Sequence, residues 1–101
     1  MKAKIETSPT GFRYITVLVP IDWQSASSKI YEILDILDAK NVLPIANEDV
    51  VSVDTKWWDF TFKNADFRIV YDEWPHGLSI EPRNNASASL LPELVQRILK
   101  I

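Results

Sequence analysis

The sequence predicts an α+β fold: a two-layer α/β sandwich with a mainly antiparallel sheet, element order β-β-α-β-β-β-α, and two helices on one face. Three observations predict it. Residues 56–83 alternate bulky apolar and polar side chains with the period of strands. Two later or flanking segments, around Ile30 and Leu94, carry apolar residues at i, i+3, i+4 and i+7, the stripe of a one-sided helix. Turn residues separate all of these, and one-sided helices with an antiparallel sheet bury their apolar sides against each other. A chain of 101 residues suits a single domain spanning 1–101, which buries roughly 65% of its unfolded surface.

The strands at the centre are the clearest. In Trp58, Phe60, Phe62 and in Phe67, Ile69, Tyr71 the large residues fall at every second position. A turn at Asn64-Ala65, where Asn tolerates left-handed backbone, pairs Phe62 with Phe67, Phe60 with Ile69 and Trp58 with Tyr71. Such pairs contribute about 0.2–1 kcal/mol each relative to alanine. Trp74-Pro75-His76-Gly77 has Pro second and Gly fourth, the type I preference, and sets Ile80 opposite Tyr71. That register leaves Glu73 opposite Leu78 on the apolar face, unless Glu73 lies at the wet end of the sheet or the loop is longer.

The remaining elements follow in order. Residues 2–7 alternate with polar positions, as an edge strand does, and Ser8-Pro9-Thr10-Gly11 repeats the turn pattern. Residues 12–19 are apolar on both faces apart from Arg13 and Thr16, which suits a central strand ended by Pro20. Asp22, with Ser25 as its rival, is the expected N-cap of a helix reaching residue 39. Its stripe is Ile30, Ile33, Leu34 and Leu37, with Glu32, Asp35 and Asp38 off it; Asn41 and Pro44 are expected to stop it. Residues 42–45 suit an extended segment and 46–49 a loop. Residues 50–53 are β-prone, either a separate strand or the start of the one holding Trp57 and Trp58. Residues 83–89 form a connection, and Ser89 is the expected cap of the last helix, with Pro92 in its first turn. Leu91, Leu94, Val95 and Ile98 make its stripe, widened by Leu90, Leu99 and Ile101; Arg97 and Lys100 suit its negative end.

Composition narrows function by exclusion. The chain is 47% hydrophobic and 25% charged, with net charge −3 and pI near 5.0. An acidic chain lacks the basic field that general nucleic-acid binding needs. With no cysteine, disulfides, thiolate metal sites and thiol catalysis are out. No apolar run reaches the ~20 residues of a membrane span, and the start, MKAKIETSPTG, has no signal-peptide core. A cytoplasmic, bacterial setting is expected.

Chemistry-bearing motifs are sparse. Gly11 and Gly77 sit in expected turns, so no phosphate-cradling loop exists. One histidine without cysteine makes no zinc set, and the acids lack the spacing of a calcium loop. No cofactor or metal is expected. The nearest constellation is Asp72, Glu73 and His76 around one turn, where carboxylate and imidazole are the residue types of general acid–base work. Against it, a Pro-Gly turn is ordinarily wet and the residues sit in no evident cleft. The serines at 25–28 belong to a helix start, since no GxSxG turn is present.

The face of the strands opposite the apolar set is the candidate surface. Trp57, Asp59 and Thr61 point there, with Arg68, Val70 and Asp72, then Ser79 and Glu81. An aromatic among charges has the composition of a binding anchor. The partner-binding candidates are Trp57, Asp59, Arg68, Val70, Asp72 and Glu81. They suit a protein partner, whose concrete version is a basic toxin met by an immunity- or antitoxin-like protein. The alternatives are a homo-oligomeric subunit pairing through this face, an enzyme using Asp72, Glu73 and His76, or a plain solvated sheet surface.

Overall fold

The computed structural model describes residues 1–45, 55–73 and 76–101. The described chain forms β1 (Lys2–Thr7), β2 (Arg13–Leu18), α1 (Ala26–Ile36), β3 (Lys40–Pro44), β4 (Thr55–Phe62), β5 (Ala65–Asp72), β6 (Gly77–Pro82), a single helical turn α2 (Asn85–Ala88) and α3 (Leu91–Leu99). The six strands make one antiparallel sheet in the order β1-β2-β6-β5-β4-β3. With three helices this is an α+β domain, richer than expected by β3 and α2. The β-prone segment 50–53 and the loop 46–49 lie outside the described residues, as do Trp74 and Pro75 of the expected turn.

Turn chemistry sets the register. Lys63 and Asn64 both take left-handed backbone, with φ of 51° and 64°, the mark of a type I′ turn. The strands then pair Phe62 with Ala65, Phe60 with Phe67 and Trp58 with Ile69. The turn sits one residue earlier than Asn64-Ala65, so the expected pairs are displaced by two. A displacement of two keeps every side chain on its face, because the strand period is two. The next hairpin moves likewise: Tyr71 faces Leu78 and Ile69 faces Ile80. β5 ends at Asp72 and β6 starts at Gly77, so the connection is as long as expected but one position earlier, and Glu73 is exposed within it instead of facing Leu78.

At the other hairpin, Gly11 donates to the Ser8 carbonyl at 2.9 Å and takes φ 88°. That conformation strains any residue with a Cβ. Asp22 and Ser25 are not rivals but a reciprocal pair. Ser25 N donates to Asp22 Oδ1 at 2.8 Å, and Asp22 N donates to Ser25 Oγ at 3.0 Å, a capping box one turn ahead of α1. The helix stops at Asp38 rather than Asn41. Asp38 takes φ 55°, while Asp38 N and Ala39 N donate to the carbonyls of Asp35 and Leu34, the Schellman closure. Asn41, at φ 53°, instead bulges β3 where it meets β4. Ser89 does not cap α3; its Oγ donates to the Ala86 carbonyl, and Asn84 caps α2 through Ser87 N.

One core joins α1 and α3 to one sheet face. Ile30, Ile33, Leu34 and Leu37 from α1, and Leu91, Leu94, Val95 and Ile98 from α3, are buried with Ile15, Val17, Trp58, Phe60, Phe62, Phe67, Ile69, Tyr71, Leu78 and Ile80. Leu99 and Ile101 stay exposed, so the stripe of α3 is narrower than expected. Full burial of each large apolar side chain contributes about 1.5–3 kcal/mol, and the opposite face of the same strands is the one that α1 and α3 leave uncovered.

Candidate functional site

Strand alternation that sends Phe60 and Ile69 into the core sends their neighbours the other way. Register then assembles two rows across this helix-free face. One runs Lys4, Thr16, Ser79, Val70, Trp57, and the other Glu81, Arg68, Asp59, Leu43. Asp72 lies beyond them, facing Thr55 and Gly77. All six expected partner-binding residues therefore share one face.

Their surroundings differ from one another. Arg68 donates to Asp59 through Nε at 2.6 Å and Nη2 at 3.1 Å, and its guanidinium lies 5.0 Å from the centre of the Trp57 ring. Arg83, reaching in from the end of β6, adds a contact to Asp59 Oδ2 at 2.9 Å. Hydrogen bonding from Arg68 is the main reason the Asp59 carboxyl is held below its ordinary range, and Asp59 in turn raises Arg68. Asp59 is thus shared by two guanidinium groups and offers little free negative charge for steering. Asp72 Oδ1 accepts from the Thr55 hydroxyl at 2.8 Å. Glu81 has its carboxyl pushed up, chiefly by burial. Val70 is only 7% exposed, although it lies outside the main core; it supports the face from beneath instead of presenting itself. Trp57 is half-buried, and its indole N–H is shielded with no acceptor among the described residues.

Sequence reasoning missed part of this surface. Leu18 and Leu43 are 51% and 59% exposed, the two strongly exposed large apolar side chains carried by the described strands, and both lie on the helix-free face. Tyr14 is there as well, stacked on Phe12 at 6.3 Å. The signal was the run 12–19, apolar on both sides: only one side of that strand has helices to cover it.

Asp72, Glu73 and His76 are not brought to one cleft. Glu73 accepts from the hydroxyl of buried Tyr71, and His76 Nε2 lies 2.6 Å from the Ile21 carbonyl, its ring edge-on to Tyr71 at 5.6 Å. The cleft of about 360 Å³ beside His76 includes neither carboxylate. Among the described residues no group of three or more acidic or imidazole side chains is placed to hold a metal, and no helix is long and apolar enough to cross a membrane. The chain matches no protein-family model, no curated protein and no solved structure.

Proposed function

We propose that this chain is a cytoplasmic, non-enzymatic protein-binding domain, a two-layer sandwich whose helices hold the sheet rigid while its bare face docks a protein partner. The supporting observation is the exposed apolar surface there: Leu43 lies on the strand next to a half-buried Trp57 already stacked on Arg68, and Leu18 is exposed farther across the same face, on β2. Aromatic and Arg anchors that need little reorganisation are the usual centre of a protein interface. Because Asp59 is matched by Arg68 and Arg83, the charges here set register more than attraction. An immunity- or antitoxin-type role is the form of this reading that suits the chain's size and acidity.

The experiment is a photo-crosslinking residue at Ser79, on the bare face, compared with one at Gln96, on exposed α3. A partner captured from Ser79 alone, and lost with Trp57→Ala, supports the proposal. Equal capture from both positions, or none, overturns it. Light scattering of the same samples identifies a second copy of the chain as the occupant by its mass.

A further inference from the structure

A second surface feature lies at the end of the sheet where the turn between β1 and β2 meets the junction of β6 with α2. A cleft of about 480 Å³ opens there, lined by Gly11, Phe12, Arg13, Pro82, Arg83, Asn84, Asn85 and Ala88. Its size lies within the roughly 300–1,000 Å³ range of small-molecule sites. The lining holds two arginines and no acid, in a chain whose net charge is −3. Arg13 is exposed and makes no ion pair among the described residues, while Arg83 spends one contact on Asp59 and remains 42% exposed at its side chain. A guanidinium has five N–H donors in a planar fork, so both retain bidentate capacity for an oxyanion.

The cleft also has a flat apolar wall. Phe12 is 43% exposed and stacks on Tyr14 with an interplanar angle of 20°. Its backbone is pinned on both sides, Phe12 N donating to Ser8 Oγ at 3.0 Å and Ser8 N to the Phe12 carbonyl at 2.8 Å. Across from it, Pro82 is buried and paired with Phe67, and Arg83 N donates to the Asp66 carbonyl at 2.9 Å. Platform and clamp therefore stand on hydrogen-bonded backbone. The basic cleft near α1's end is a weaker candidate, because Lys40 and Lys63 there are already paired with Asp38 and Glu93.

We propose that this cleft binds a small organic anion, a carboxylate or phosphate ester carrying a flat ring. Arg13 grips the oxyanion, Phe12 stacks on the ring, and Arg83, held by Asp59, adds positive charge at the opposite wall. The cleft borders the protein-docking face through Arg83, which also holds Asp59, but it needs neither Trp57 nor Leu43.

The experiment is an NMR titration of the whole chain with benzoate, phenyl phosphate and inorganic phosphate, following the Arg Nε–H and Phe12 ring signals. Saturable shifts of Arg13, Arg83 and Phe12 are expected, with the better ring-bearing anion up to about tenfold tighter than inorganic phosphate, the order of one aromatic stacking contact. Whether benzoate or phenyl phosphate is preferred identifies the anion. Arg13→Gln should weaken binding about tenfold and Phe12→Ala should abolish the advantage of the ring; Arg13 is exposed, so the fold survives its replacement. Absence of saturation, equal affinity in Arg13→Gln, or no preference for a ring overturns the proposal.

Discussion

The guanidinium of Arg68 lies 5.0 Å from the centre of the Trp57 ring, on strands whose other side is the protein core. A stacked pair on a surface contributes about 0.5–1 kcal/mol, far less than a core aromatic. Phe60, on the same strand and 2% exposed, should lose about 3–5 kcal/mol when truncated to alanine. Trp57→Ala should lose about 1 kcal/mol from this contact. Urea melts of the two variants measure the contrast, and equal losses would place Trp57 within a core of its own.

Asp59 should make stability depend on acid. Its carboxyl is held below the ordinary value of 3.8, first by hydrogen bonds from Arg68 and then by Arg83. A carboxyl depressed in the folded state stabilises above its unfolded value, and that contribution is lost as pH falls through the folded one. Asp59→Asn should therefore be less stable than the parent at neutral pH, with the gap closing below 3.8. Urea midpoints across that range test the sign; a gap that widens in acid contradicts it.

Legibility in the sequence followed the range of the physics. The helix stripes and the alternation of Trp58, Phe60 and Phe62 are local periodicities, and these residues are in the core. Register was harder, because moving a two-residue turn by one position leaves the alternation intact; only the backbone of Lys63 and Asn64 decides it. β3 was missed as a full strand because the Asn41 bulge breaks its period. The sharing of Asp59 between Arg68 and Arg83 had no local signal, since Arg83 arrives from beyond β6, across β5.

The turn itself is open to test. Asn64 has φ 64°, where a residue with a Cβ and no compensating polar group costs about 1–2 kcal/mol. Asn64→Ala should lower stability by about that amount, while Asn64→Gly should leave it unchanged or raise it slightly, since glycine adopts this backbone freely. The measurement is a thermal melt of each. Equal behaviour of Ala and Gly would mean that the hairpin turns elsewhere.

Alkaline unfolding should report on Tyr71. The side chain is fully buried and donates to Glu73. Burial, helped by Glu73, pushes its ionisation from 10.0 up to about 12. In the unfolded chain the phenol releases its proton near the lower value, while the folded protein keeps it. Stability from Tyr71 is thus fully present below 10.0 and drains away as pH rises toward about 12. Tyr71→Phe removes the proton and with it this slope, at a cost of about 0.5–1.5 kcal/mol at neutral pH for the lost hydrogen bond. Exposed Glu73 can return to water. Other alkaline groups titrate in both proteins and cancel in the difference. Urea midpoints measured at steps through the alkaline window should fall more steeply for the parent than for the Phe variant. Parallel curves would mean that Tyr71 ionises in the folded state as readily as in the unfolded one, against its burial under the helices.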